Sequence, residues 1–387
     1  VKLAAHPLWL AGFRPFFALA CLAGLSLPLA WALIYSGAVS PAPTFSVSAL
    51  HWHAHEMFFG FGLAMLGGFL LTASKNWVAI RGCQGLPLLL LALAWLLDRV
   101  VMLFGAGLPM PLFLIAGSLF PAALVAMLLA TLIRHRKNDS YPDNLYFIIA
   151  LPLLLPAKWL LLSDTHFAPG TAMSIALFRL SFLIMLERTL TQFLRGALQL
   201  TVPRYAALDH SIKSLALVMV AAPFMPAPVP AVLSVALAIL LAARWLSWHP
   251  WPALRRIDLG IMVLGHLAII LQLAFEALAV WYPVAWVGTV SVHLFTLGAM
   301  GLIIPAMVIR IARGHTGRKV VFESADKWVL WLMLGGLLLR IGLPQLFPAA
   351  YLTWILATAV VWLAAFGLLA WRYIPWLLQP RADGREH

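Results

Sequence analysis

The chain has 387 residues, 63% of them hydrophobic and 10% charged, with a mean hydropathy of +0.96. These figures exclude a soluble globular domain and leave an integral membrane protein. The net charge of +13 would suit nucleic acid if it gathered on one surface, but lysine and arginine are dealt out to alternate loops, so it reads as membrane topology. Cys21 and Cys83 lie in unrelated segments with no C-x-x-C or C-x-x-C-H, which excludes a disulfide framework and covalently attached haem.

The first apolar run, Phe16 to Tyr35, has the look of a secretory leader. It is long enough to span a bilayer and begins behind a Trp- and Pro-containing segment, so it reads as a helix. Hydropathy then divides the chain into twelve spans, at 15–36, 53–74, 86–105, 111–133, 145–162, 172–194, 212–225, 229–247, 258–279, 286–309, 327–345 and 351–374. Seventeen tryptophans fit aromatic belts, and the alternation of an outer-membrane barrel is absent. The seventh span is short, and the flank Pro223-Phe-Met-Pro-Ala-Pro-Val-Pro230 makes a stiff turn into the eighth. The expected fold is all-α: one polytopic membrane domain of about twelve helices.

The loops alternate in charge. Lys2 and Arg14, Lys75 and Arg81, Arg134 to Lys137, Arg188 to Lys213, Arg244 with Arg255 and Arg256, Arg310 to Lys327, and the tail from Arg372 form a basic set. Ser36 to Leu50, Gly105 to Pro111 and Val280 to Trp286 carry no lysine or arginine. The positive-inside rule places both termini in the cytoplasm and makes the number of spans even, independently of hydropathy.

The second span opens on His51-Trp52-His53-Ala54-His55-Glu56. On a helix, residues two apart differ by roughly 200° and residues four apart by roughly 40°. His51 and His55 therefore share a face, while His53 looks away toward Glu56, whose carboxylate can accept its ring N–H or relay a proton. His53 and His55 are expected to serve different centres. His266 lies near the middle of the ninth span, and His293 about two turns into the tenth. Imidazoles projecting from separate helices are how helical bundles hold haem iron or copper.

Four cations, Arg99, Lys158, Arg179 and Arg340, fall inside spans, in the half nearer the neutral loops. Intramembrane cations face a partner or a cavity. Asp98 is next in sequence to Arg99 and is expected to point elsewhere. The set therefore suggests an anionic ligand, with haem propionates the simplest candidate, bound lipid phosphate the alternative, and snorkelling to headgroups the plain reading. Gly60, Ala64, Gly67 and Gly68 give the second span a small-residue face, as Gly298 and Gly301 do the tenth, which admits a neighbouring helix or a porphyrin. Glu276, one turn beyond Gln272, is a proton-relay candidate or an interfacial residue. The residues alone support a twelve-span protein with a histidine-held metal or haem near its outer face. They name no substrate.

Gly12-Phe-Arg-Pro-Phe-Phe17, Trp52-His-Ala-His-Glu-Met57, Gly68-Phe-Leu-Leu-Thr-Ala73 with Asn76-Trp77, His293 in an H-x-x-T-x-G-A-M-G setting, and Arg310 followed by Gly314-His-Thr-Gly-Arg318 together resemble the NnrS family. The resemblance covers nearly the whole length and is weaker at Glu187 to Ala197. It implies a bacterial inner-membrane protein containing haem and copper, associated with denitrification and resistance to nitric oxide; with no C-x-x-C-H to hold it covalently, the haem is expected to be b-type. The implied metal candidates are His53, His55, His266 and His293, with His315 a candidate in a loop.

Two functions follow as expectations. One is reduction of nitric oxide to nitrous oxide, with Glu56 or Glu276 relaying protons and quinol or a periplasmic carrier supplying electrons. The other is a non-catalytic haem protein that binds, sequesters or senses nitric oxide. Transport would call for inverted repeats with broken helices, and none is visible in the sequence.

Overall fold

The computed structural model describes residues 3–41 and 45–385, so Lys2 of the basic set lies outside the described residues. Among these the structure is helical throughout, with no strand. Twelve helices are long and apolar enough to cross a membrane: α1 (Phe13–Tyr35), α2 (Ala49–Trp77), α3 (Leu86–Phe104), α4 (Met110–Arg134), α5 (Pro142–Leu162), α6 (Phe167–Leu198), α7 (Ala206–Phe224), α8 (Val229–Ser247), α9 (Ile257–Trp281), α10 (Val290–His315), α11 (Ser324–Leu346) and α12 (Pro348–Leu377). The count agrees with the hydropathy reading. The ends differ where polar residues continue a helix beyond its apolar run.

α2 begins four residues earlier than its apolar run, because the Ser48 hydroxyl accepts the His51 backbone N–H and starts the helix there. α7 gains six residues at its basic end, from Ala206, and finishes in a tight 3-10 stretch, Met219–Phe224, that contains Pro223. α10 starts later than expected, at Val290, behind Gly288, whose φ of +76° belongs to a turn; a Cβ there would meet the Tyr351 hydroxyl at 2.5 Å. It then runs on through Arg310 to His315.

The chain divides into two units. Val1–Gly170, Val308–Val321 and Phe366–His387 form the first, and Thr171–Met307 with Phe322–Ala365 the second. In the first unit the motif residues knit α1 to α2. The Phe13 N–H donates to the Thr72 hydroxyl at 2.8 Å, and Cβ atoms on Gly12 and Gly68 would lie 2.5 and 2.7 Å from the Cβ atoms of Leu71 and Phe16. Arg14, fully buried, donates to the carbonyls of Leu377 and Gln379 at 2.8 and 2.6 Å, satisfying acceptors that the end of α12 leaves open.

Burial follows a period of four. About 83% of the apolar window of α2, 72% of α6 and 78% of α10 is buried, while no other span exceeds 56%. The second helix of each successive four is thus the one surrounded by protein, and α2, α6 and α10 carry His55, Arg179 and His293. Two of these three also change helix type. α2 widens from α to π over Glu56–Gly62, and α10 does the same over Leu294–Met300. Each π segment begins immediately after a histidine and carries a glycine, Gly60 or Gly298, five residues beyond it. A third π segment, Leu338–Gly342, contains Arg340.

Candidate functional site

The three histidines that open α2 face three surroundings. The His53 ring stacks on Trp31, with centroids 4.3 Å apart and planes at 11°. His51 Nδ1 meets the Ser48 hydroxyl at 2.5 Å and its ring stands edge-on to Phe167 at 4.5 Å. His55 is wholly buried beside Phe59. Its Nδ1 lies 3.1 Å from Glu56 Oε1, so Glu56 serves His55 and not His53 as the α-helical wheel suggested. The π turn starting at Glu56 advances fewer degrees per residue than an α turn, which brings the carboxylate round toward the preceding ring.

Glu56 belongs to a larger buried group. Its Oε2 is 2.9 Å from Arg99 Nε, but the N–H does not point along that line, so the contact is an ion pair without a hydrogen bond. Arg99 Nη2 curls back to Asp98 at 2.7 Å, against the expectation that neighbours in sequence diverge, because a long guanidinium in a low-dielectric interior folds toward the nearest anion. Asp98 also takes the Lys158 ammonium through both oxygens, at 2.8 and 2.9 Å, and Lys158 donates further to the Gly117 carbonyl. Asp98 and Lys158 are both fully buried. Asp98 is thus the hub of five side chains from α2, α3 and α5. The only signal for it in the sequence was an aspartate inside an apolar run.

The small-residue faces are filled by protein. A Cβ on Gly60 would lie 2.6 Å from Arg99 Nη1, on Gly67 2.6 Å from Leu124, and on Gly298 2.8 Å from Ala268. Gly301 packs against Met333 and Trp362. The Gly60 carbonyl, released from the α pattern by the π segment, accepts the Trp95 indole N–H at 2.9 Å.

In the second unit, Arg179 donates to the Gln272 amide oxygen at 2.8 Å and lies 3.7 Å from Glu276. His266, buried against Trp248, points Nε2 at the Leu241 carbonyl at 3.3 Å. His293 Nδ1 lies 2.9 Å from the Thr289 carbonyl. Arg340 meets the Tyr351 hydroxyl at 3.1 Å. Of the four intramembrane cations, three therefore sit against carboxylates and Arg340 against a phenol. His315 ends α10 and packs on Phe13 in the first unit.

These contacts bear on which cofactor the residues suit. A carbonyl only accepts, so the Leu241 bond puts the proton of His266 on Nε2, and the Thr289 bond puts that of His293 on Nδ1. An ionised Glu56 likewise puts that of His55 on Nδ1. Each ring thus has one nitrogen anchored and the other presenting its lone pair. His55 Nε2 and His266 Nδ1 are buried without a hydrogen-bond partner, the former 3.9 Å from Asp98 Oδ2. One nitrogen held by an acceptor and the other left open is the arrangement of a metal-ligating imidazole, and single-histidine ligation of haem iron suits it. Copper bound by protein donors alone suits it less: among the described residues no group of three or more His, Cys, Asp or Glu side chains is arranged to hold a metal ion, and Glu56 and Asp98 beside His55 are taken by Arg99 and Lys158.

The family model described as NnrS protein matches residues 7–381, nearly the whole chain. No curated protein matches it.

Proposed function

Because the chain belongs to the NnrS family, a family of multi-pass membrane proteins of the nitric oxide response, we propose that it reduces nitric oxide to nitrous oxide at a histidine-held b-type haem in the bacterial inner membrane. The observation that carries this reading is His55: buried, anchored through Nδ1 on Glu56, with Nε2 free of hydrogen bonds and 3.9 Å from Asp98 Oδ2. In the first unit His55 is the residue that would hold iron; in the second, His266 and His293 are the candidates, and Arg340, whose contact is a neutral phenol, is the cation there suited to a propionate. When bound, haem iron would supply the centre at which nitric oxide binds and receives electrons. Copper is implied by the family resemblance alone.

The chain's own part is electrostatic and protonic. The Glu56 carboxylate fixes the tautomer and orientation of His55 and raises its basicity. Asp98 holds Lys158 and Arg99 in place, so that Arg99 stands against Glu56 and not in water. Burial of α2 keeps bulk water from the reacting groups. With the topology set by loop charge, this cluster lies in the periplasmic half of the membrane. A second reading, in which nitric oxide is held without turnover, is favoured by the pairing of Glu56 with Arg99, since a carboxylate committed to a guanidinium is a poor proton carrier. Anaerobic addition of nitric oxide to the purified, reduced protein separates the two: catalytic release of nitrous oxide is expected, and stoichiometric binding without release refutes the reductase reading.

A further inference from the structure

Within the second unit, the neutral-loop ends of α6 to α9 line a half-open cavity of about 300 Å³. Its walls are apolar and partly soft, formed by Met219, Ala222, Pro223 and Met225, and its polar side is made by Arg179 and Glu276. The volume is at the lower end of small-molecule sites, and apolar walls with a few convergent polar groups are the usual composition of such sites.

The polar side is incompletely satisfied. Arg179 is only 2% exposed, yet its Nε has no hydrogen-bond partner, while its Nη1 donates to the Gln272 amide oxygen. A buried donor without an acceptor costs free energy unless a ligand or water supplies an oxygen. The charge is already balanced, because Glu276 stands 3.7 Å from the guanidinium. An anionic headgroup or a propionate would therefore meet a neutral pair and a nearby carboxylate. A neutral ligand that offers an oxygen acceptor to Arg179 and a hydroxyl donor to Glu276 satisfies both groups without adding charge to the membrane interior.

We propose that this cavity binds the head of a membrane quinone, a flat neutral ring with one oxygen toward Arg179 and the opposite hydroxyl, in the reduced form, toward Glu276. Methionine and proline walls suit a flat ring, since thioethers pack favourably against aromatic faces. The inference rests on the reductase reading only for its purpose. One hydroquinone gives up two electrons and two protons on becoming the quinone, which is what coupling two nitric oxide molecules to nitrous oxide and water consumes. Glu276 is placed to accept the hydrogen bond of that hydroxyl.

The test uses the full-length protein in lipid nanodiscs and a short-chain ubiquinone, with binding read by quenching of tryptophan fluorescence. Saturable binding is expected in the wild type. Glu276→Gln and the cavity-filling Ala222→Phe are expected to weaken it at least tenfold, and Ile239→Ala, on the exposed face of α8 outside the cavity, is expected to leave it unchanged. Ala222→Phe keeps the Arg179–Glu276 pair, so it reports on the cavity even if Glu276→Gln misfolds. Absence of saturable binding in the wild type, undiminished binding by Ala222→Phe, or displacement of the quinone by phosphatidylglycerol would overturn the proposal, the last result marking a lipid-headgroup site. Quinone binding without nitrous oxide formation would overturn the reductase reading and leave the site standing. Turnover with a chemical reductant but no quinone binding would do the reverse.

Discussion

Replacing Asp98 by Asn removes one charge from a group in which two cations and two carboxylates balance. Asp98 receives three charge-assisted contacts, from Lys158 Nζ at 2.8 and 2.9 Å and from Arg99 Nη2 at 2.7 Å. Asparagine keeps one oxygen but turns an amide N–H₂ toward these donors, and Glu56 alone must then serve Arg99 and Lys158. Breaking a buried pair by removing one partner costs about 3–5 kcal/mol. That is a large part of the roughly 5–15 kcal/mol that holds a domain folded. We therefore expect Asp98→Asn to lower the midpoint of denaturation markedly when unfolding is followed in mixed detergent micelles. The double variant Asp98→Asn/Lys158→Met should recover more than half of the loss, because the orphaned ammonium is gone and Arg99 keeps Glu56. A single-variant loss below about 1 kcal/mol, or a double variant whose loss is the sum of the two singles, would refute the hub assignment.

Gly60→Ala should disturb the same group from the other side, since its Cβ would stand 2.6 Å from Arg99 Nη1 and 2.9 Å from Glu56 Oε2; a lowered midpoint together with altered haem uptake is expected. His55→Ala should abolish most haem absorbance in the purified protein while His53→Ala, which removes a ring stacked on Trp31, should not; equal losses would show that both grip one metal. Glu56→Gln should weaken haem retention roughly 10- to 100-fold, the usual effect of losing the anchor of a ligating histidine, as read by transfer of haem to apomyoglobin. In the tail, the Arg381 guanidinium holds the exposed Asp383 carboxyl down to about 2, while Ala382 N–H donates to the Thr316 carbonyl at 2.9 Å. A depressed carboxylate stabilises fully above its ordinary value and loses that contribution as the pH falls through its folded value, so protection of the Ala382 amide from hydrogen exchange, corrected for intrinsic rates, should drop between about pH 4 and pH 2.

The twelve spans were legible because apolar length and loop charge report topology directly. Their ends were less so: the Ser48 cap and the polar run past Arg310 extend helices by hydrogen bonding, which hydropathy does not see. The histidine stretch announced itself, and the divergence of His53 from His55 followed from helical geometry. The role of Glu56 did not follow, because a wheel drawn at 100° per residue is the wrong wheel for a π segment. Asp98 was passed over for a related reason. Nothing in a sequence says that α5 will deliver an ammonium to α3, and without Lys158 an aspartate beside an arginine looks locally spent. The motif glycines and Thr72 were visible as a pattern, but their work in joining α1 to α2 needed coordinates.

The π segments have a consequence for how this chain can tolerate change in length. A π turn behaves as an α-helix into which one residue has been inserted, so the part of the helix beyond it is rotated by about 100° relative to an unbroken α-helix. In α2 that rotation sets the angle between His55 upstream and the Gly67–Gly68 face downstream, which is pressed against Leu124 and Phe16. Deleting a single residue between Glu56 and Gly62 would restore regular α-helix and keep every apolar residue in the membrane. The hydropathy profile would hardly change. The histidine and the glycine face would no longer be turned toward their present neighbours together, so one would keep its place only at the other's expense. A length change in a surface loop carries no such penalty, and homologous chains that keep His55 should therefore vary in loop length before they vary by one residue inside α2 or α10.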